Sequence, residues 1–144
     1  MTGPYQSVLV RAICTLLIPA IQIFAIYVLT QGHYSPGGGF QGGGFLAASV
    51  ILARVAFGTE ISQRAFSSTL AAALAAVGML VFMLAALLPM VTGGLFLDYV
   101  AMPIPGLSDA DLRYYGILLA ELGITLGVFG TLVVIFDSLV GEKD

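Results

Sequence analysis

Residues 65–97 form the stretch AFSSTLAAALAAVGMLVFMLAALLPMVTGGLFL, which contains no charged residue over 33 positions. The hydrocarbon core of a bilayer is about 30 Å thick, so roughly 20 apolar residues of helix cross it. A helix at the surface of a soluble protein would show a polar face repeating every 3.6 residues, and this stretch shows none. The stretch therefore predicts a helix buried in a membrane, and it limits the function to one that a membrane protein can perform.

The composition of the whole chain agrees with a membrane protein. Its 144 residues are 59% hydrophobic and 9% charged, and the mean hydropathy is +1.04. Soluble domains carry about 25% charged residues, so this chain has too few charges to cover a soluble globule of its size. Five basic residues and a net charge of −3 argue against a surface for nucleic acid.

Four apolar segments are long enough to be membrane-spanning helices, at residues 8–31, 42–58, 66–91 and 114–137. Linkers 32–41 and 59–65 are short, and linker 92–113 is longer and rich in turn residues. We expect an all-α integral membrane protein with four transmembrane helices, in which the whole chain, 1–144, forms one domain. Because no basic region precedes the first apolar segment, we expect that segment to stay in the mature protein.

The basic residues predict an orientation in the membrane. Arg11, Arg54, Arg64 and Lys143 fall on one side of a four-span arrangement, whereas the other side holds only Arg113. Basic residues are enriched in cytoplasmic loops of membrane proteins. We therefore expect both termini in the cytoplasm and a location in the cell membrane.

The linker between the first two spans has an unusual sequence, GHYSPGGGFQGGG at residues 32–44, in which seven of 13 residues are glycine. A flexible linker is one interpretation of a glycine-rich segment. We favour a compact turn against neighbouring helices, because the segment is short, holds two aromatic residues and continues directly into a helix. Pro36 disfavours helix at Ser35. The segment opens no βαβ unit and lacks the GxxxxGK[ST] pattern, so we do not expect it to bind phosphate.

This linker, placed after the first of four membrane helices, resembles the signature of the MnhB/MrpB family. The resemblance covers the whole chain, because the four-span layout and an acidic residue within YGILLAELG of the fourth span also agree with that family. Tyr34 stands where a small polar residue such as Asn is more often expected. The motif residues that carry the resemblance are Pro36, Gly37, Gly38, Gly39, Phe40, Gly42 and Gly43.

The resemblance implies an accessory subunit of a multi-subunit Mrp-type antiporter that exchanges Na⁺ for H⁺. The implied partners are the other hydrophobic subunits of that complex, some of which resemble proton-pumping subunits of respiratory complex I. Related modules occur in membrane-bound hydrogenase and sulfur-reducing complexes. We expect no cofactor, no metal and no catalysis in this chain. A self-sufficient, homo-oligomeric channel or carrier is the alternative, although a lone carrier normally needs several polar groups that converge near the midplane.

Two ionisable residues are candidates for an ion or proton path. Glu121 lies about 10 Å into the fourth span from Tyr114, at 1.5 Å per residue. A charge at such depth costs roughly 2.5–3.5 kcal/mol, so the carboxyl group needs a partner or a wet cavity. Glu121 either binds a proton or cation during antiport or fixes one helix against another, and we favour the structural role. His33, the only histidine, is either a loop residue that hydrogen-bonds the turn or a proton-entry group.

The fourth span carries a face of small residues that permits close helix packing. They follow one another at spacings of 4, 3, 4 and 3: Gly116, Ala120, Gly123, Gly127 and Gly130. At about 100° per residue, Glu121 points roughly 140° away from this face. We therefore expect two different neighbours, one on Gly123 and Gly127 and another beside Glu121.

Arg54 lies four residues before Gly58, near the end of the second span. The guanidinium either reaches out to the membrane surface or makes a buried contact with an acidic group of another subunit. Asp137 is interpreted as a helix-end residue that needs no special role. Gln22 is expected to form a hydrogen bond between helices, and Pro19 is expected to bend the first span.

Overall fold

The computed structural model describes residues 7–32 and 38–141 of the chain. Within these ranges the chain is helical and contains no β-strand. The helices are α1 (Val8–Thr30), α2 (Gly39–Phe57), α3 (Thr59–Ala65), α4 (Ser68–Val91) and α5 (Asp109–Gly141). Four of them, α1, α2, α4 and α5, are long and apolar enough to cross a membrane. The prediction of an all-α membrane protein with four spanning helices is confirmed.

The helix boundaries differ from the predicted spans in three places. Helix α2 begins at Gly39 instead of residue 42, and the predicted linker 59–65 forms the short helix α3. Helix α5 has 33 residues, from Asp109 to Gly141, and is longer than the predicted span 114–137. At 1.5 Å per residue α5 measures about 50 Å, which exceeds the thickness of the bilayer core. The predicted span is shorter because the hydropathy pattern covers only the apolar part of α5 and not its polar ends.

Serine side chains cap the first turns of three spanning helices, where backbone N–H groups lack partners within the helix. The Ser7 hydroxyl accepts a hydrogen bond from Val10 N at 3.2 Å, and the Ser67 hydroxyl accepts one from Leu70 N at 3.1 Å. The Ser108 hydroxyl accepts one from Asp111 N at 3.3 Å. These local signals fix where α1, α4 and α5 start.

The spanning helices pack in the spatial order α1–α2–α5–α4, because α1 packs on α2, α2 on α5 and α5 on α4. Small residues dominate the buried contacts, as Ala47, Ala71 and Ala120 show. Large apolar side chains instead point outward, and Leu16 is 77% exposed. This distribution is typical of membrane helices, whose backbones approach closely through small residues while large side chains meet lipid.

One polar contact joins α1 to α2. Gln22 Nε2 donates a hydrogen bond to Ser49 Oγ at 3.4 Å, and Ser49 Oγ donates to Leu46 O at 2.7 Å. Ser49 is fully buried. The prediction that Gln22 hydrogen-bonds between helices is confirmed. Pro19 lies inside α1, and the bend expected there stays a prediction.

Candidate functional site

The carboxylate of Glu121 lies against the glycine-rich junction between α1 and α2. A Cβ atom added to Gly32 would come within 2.5 Å of Glu121 Oε1, and one added to Gly38 would come within 2.6 Å of the same atom. Gly38 precedes the first residue of α2 and has a φ of +67°, a conformation that residues with a Cβ rarely adopt. Glycine is therefore favoured here by the backbone conformation, and the Glu121 carboxylate fills the space beside it.

The first turns of α2 also pack directly on α5. A Cβ atom on Gly39 would come within 2.5 Å of Glu121 O, and one on Gly43 would come within 2.7 Å of Thr125 O. On the opposite side, a Cβ atom on Gly42 would come within 3.2 Å of Ala25 O in α1. The glycines thus allow the start of α2 to fit between α1 and α5, which supports the interpretation of the segment as a packed junction.

Thr125 joins the junction to α5 through its side chain. Its hydroxyl lies 3.1 Å from Gly39 O and 2.7 Å from Glu121 O, and it can donate to either carbonyl oxygen. Thr125 is 2% exposed, so this polar group is buried inside the protein. Thr125 was not among the predicted site residues, although its position one helical turn after Glu121 places it on the same face of the fourth span.

Tyr99 approaches Glu121 from the loop between α4 and α5. A Cβ atom on Gly116 would come within 2.5 Å of the Tyr99 ring, so the ring packs directly on α5 at this glycine. Burial raises the pKa of Tyr99 above its ordinary value of 10.0, and the negative charge of Glu121 raises it further. The raised pKa indicates that Tyr99 is close enough for its ionisation to be affected by the charge of Glu121. Sequence reasoning missed Tyr99 because nothing local connects it to Glu121.

Part of the predicted motif lies outside the described residues, including His33, Pro36 and Gly37. Phe40 is described and its side chain is 68% exposed. It lies at one edge of an apolar groove of about 440 Å³ between α4 and α5, which Gly123 and Gly127 also line.

The small-residue face of α5 packs on α4. A Cβ atom on Gly123 would come within 2.7 Å of Phe82 N, and one on Gly130 would collide with Ala71 O. A Cβ atom on Gly127 would meet nothing, although the backbone of this residue contacts Gly78 of α4. Glu121 therefore faces the α1–α2 junction while the glycines face α4, so α5 has a different neighbour on each side.

Arg54 does not reach out to the membrane surface, and its acidic partner belongs to this chain and not to another subunit. Both predicted interpretations of Arg54 are therefore wrong. Its side chain is 0% exposed and forms an ion pair with Asp137 of the same chain. Arg54 Nε lies 2.5 Å from Asp137 Oδ1, and Arg54 Nη2 donates to Asp137 Oδ2 at 2.8 Å. The side chain of Asp137 is 6% exposed, so the expectation that it needs no special role is also wrong.

Further hydrogen bonds hold this ion pair in place. Arg54 Nη1 donates to Ser62 Oγ at 3.1 Å, and Arg54 Nη2 donates to Phe66 O at 2.9 Å. Ser68 Oγ donates to Asp137 Oδ2 at 2.5 Å. Because these groups come from α2, α3, α5 and the start of α4, the network ties four helices together at one end of the bundle.

Glu121 and the Arg54–Asp137 pair form two separate polar centres in the part of the chain that the structure describes. Among the residues that the structure describes, no group of three or more His, Cys, Asp or Glu side chains could hold a metal ion. Glu121 and Asp137 are 16 residues apart on α5, or about 24 Å along the helix axis. The polar centres therefore lie near opposite ends of the spanning bundle.

Comparisons with known proteins agree with the whole-chain architecture. Residues 9–134 match a family described as a domain related to the MnhB subunit of a Na⁺/H⁺ antiporter. A protein of Staphylococcus aureus strain Newman, named "Putative antiporter subunit mnhB2", is 33% identical over 142 residues, which cover 96% of this chain and 97% of the relative. A protein of the same name from Staphylococcus haemolyticus is 32% identical over the same shares.

Proposed function

Because the chain belongs to the MnhB family, we propose that it is an accessory membrane subunit of a multi-subunit Na⁺/H⁺ antiporter. One observation carries this proposal: the family match extends from residue 9 to residue 134, so it contains α2 and α4 and most of α1 and α5. The whole chain then acts as one domain, and its activity is transport rather than catalysis.

The arrangement of polar groups supports an accessory role over a self-sufficient carrier. The Glu121 site and the Arg54–Asp137 pair are about 24 Å apart along α5. Most of α5 between them is apolar, with Thr125 and Thr131 as its polar side chains. The guanidinium of Arg54 is already occupied by Asp137, Ser62 and Phe66 O. A hydrated path across the membrane would therefore need polar groups from partner subunits.

Within this role we propose that Glu121 is a structural group at the glycine-rich junction. Its carboxylate occupies the space that side chains at Gly32 and Gly38 would need. A close fit to backbone on this side restricts the side-chain movement and water access that loading and releasing an ion would require. The carboxylate instead sets the position of the start of α2 against α5. His33 is retained as the candidate for proton entry.

The partners we propose are the other hydrophobic subunits of the antiporter. The support for these partners is the family, whose members are named as antiporter subunits, since the exposed apolar side chains suit lipid as well as hydrophobic subunits. Purification in mild detergent tests the proposal. We expect the chain to co-purify with larger hydrophobic subunits. A stable homo-oligomer that carries out cation transport alone in liposomes would overturn it in favour of a self-sufficient carrier.

We further propose a location in the cell membrane with both termini in the cytoplasm, from the distribution of basic residues. The test is cysteine labelling of Ile61→Cys in a Cys14→Ala background. Residue 61 lies in α3 and is 61% exposed, whereas Cys14 is buried. A membrane-impermeant maleimide should label the variant in inverted vesicles and leave it unlabelled in intact cells. Labelling from outside intact cells would reverse the orientation.

A further inference from the structure

A polar cleft lies at the end of the bundle where α1 begins and α2 ends. Its volume is about 270 Å³. It is separated from the glycine-rich junction by the length of α1, which is about 35 Å at 1.5 Å per residue. Six residues line it: Arg11, Phe57, Gly58, Thr59, Glu60 and Ile61. Because α1 and α2 are spanning helices, this cleft lies at a boundary between hydrocarbon and water.

The cleft contains one positive and one negative side chain. Arg11 comes from the first turns of α1, and Glu60 comes from α3. Both residues are exposed. Within the described ranges, the ion pair that the structure shows is Arg54–Asp137, and no ion pair joins Arg11 to Glu60. The two opposite charges therefore line the same cleft without forming an ion pair with each other.

The remaining walls suit the boundary region of a lipid. Phe57 and Ile61 supply apolar surface, and Ile61 is 61% exposed. Leu9, on the first turn of α1, is 69% exposed. A phospholipid bound here would place its headgroup between the charges and its acyl chains along the outer surface of α1 and α2. Arginine near a helix end commonly binds lipid phosphate in this way.

We propose that this cleft binds the headgroup of a phospholipid that carries both a phosphate and a primary ammonium group. Arg11 binds the phosphate through charge-assisted hydrogen bonds, and Glu60 accepts hydrogen bonds from the ammonium group. A choline headgroup also offers a phosphate to Arg11. Its quaternary ammonium has no N–H donors, so it leaves Glu60 without a hydrogen bond. This site is separate from Glu121 and from ion transport, and it does not depend on the proposed antiporter function.

The experiment uses the intact purified complex, depleted of lipid in detergent and titrated with dioleoyl-phosphatidylethanolamine or dioleoyl-phosphatidylcholine. Native mass spectrometry measures the bound lipid. We expect Arg11→Gln to lower the affinity for both lipids about tenfold, because it removes one charge-assisted hydrogen bond to the phosphate. We expect Glu60→Gln to weaken only phosphatidylethanolamine. Arg64→Gln is the matched control, because it removes an exposed cation of α3 that does not line the cleft.

Two results would overturn the proposal. The first is equal lipid binding by the wild type, Arg11→Gln and Glu60→Gln. If a photo-crosslinker at residue 61 also captures a partner subunit, the cleft is a protein interface. The second is tighter binding of phosphatidylglycerol than of phosphatidylethanolamine, with a further gain in Glu60→Gln. That pattern would assign the site to anionic lipid. Each measurement reads lipid binding directly, so its result is independent of antiport.

Discussion

Replacement of Asp137 with alanine is expected to remove most of the folded protein from the membrane. The side chain of Arg54 is 0% exposed, and its charge is balanced by Asp137 across the α2–α5 contact. Breaking a buried ion pair from one side costs about 3–5 kcal/mol, because the remaining charge stays buried without compensation. Typical proteins are stable by about 5–15 kcal/mol, so this loss is a large share. Fluorescence-detected size-exclusion chromatography of detergent extracts would measure the loss of folded protein.

Two further variants make this prediction specific to the ion pair. The double variant Arg54→Met with Asp137→Leu removes both charges together, and we expect it to recover most of the folded protein. Arg64→Met removes a cation that is exposed and ten residues further along the chain, and we expect little change. If Asp137→Ala folds as well as the wild type, or if the double variant is no better than the single one, the ion pair does not stabilise the fold.

Substitution of Gly38 with leucine is the second change with a large expected effect. Gly38 has a φ of +67° and a ψ of −134°, a glycine conformation that costs a residue with a Cβ about 1–3 kcal/mol. The new side chain would also meet the Glu121 carboxylate, since a Cβ atom alone would come within 2.6 Å of Oε1. The carboxylate is the end of a flexible side chain and can move aside, so the backbone conformation carries most of the cost. We expect Gly38→Leu to lower the yield of assembled complex severely, measured by co-purification of the partner subunits.

Gly44→Leu provides the matched control for Gly38→Leu. Gly44 belongs to the same glycine-rich segment, but a Cβ atom added there would meet nothing within 4 Å. It lies inside α2, where leucine is a good helix former. We therefore expect near-normal assembly. If both leucine variants give the same yield of assembled complex as the wild type, the segment is a flexible linker and not a packed junction.

The sequence predicted the spanning helices because apolar length is a local property. The run 65–97 and the three other apolar segments each need about 20 residues to cross a bilayer, whatever their neighbours are. The short helix α3 was missed because seven residues carry too little periodicity to distinguish a helix from a linker. The Gly38 turn was anticipated in kind, since glycine runs allow positive φ and close backbone approach.

The contacts between distant segments could not be predicted from the sequence. The hydropathy pattern gives no information on the packing order of the helices, such as the position of α5 between α2 and α4. No sequence feature therefore predicted the contact of Glu121 with Gly32 and Gly38, or its closeness to Tyr99. Arg54 and Asp137 are 83 residues apart, and each alone resembles a residue at the end of a membrane helix. Their pairing depends on the order of helices in the bundle. The sequence therefore identified most of the polar residues that matter and assigned Arg54 and Asp137 to the wrong surroundings.

Two substitutions of Glu121 distinguish a structural role of its carboxylate from a conducting role. Glu121→Gln keeps the shape and hydrogen-bonding groups but removes the titratable proton. Glu121→Ala removes both, which leaves any buried partner unsatisfied at a cost of about 1–3 kcal/mol. If the residue positions the junction, Gln should support assembly and Ala should impair it. Both complexes are compared with the wild type for yield by co-purification of the partner subunits.

The direct test is Na⁺-driven proton exchange in inverted membrane vesicles that contain the Glu121→Gln complex at wild-type yield. A conducting carboxylate must load and release a proton or a cation, and an amide does neither at neutral pH. Our account predicts an antiport rate close to that of the wild type, because the amide fills the same space beside Gly32 and Gly38. Loss of antiport in a fully assembled Glu121→Gln complex would contradict it and would place Glu121 on the ion path.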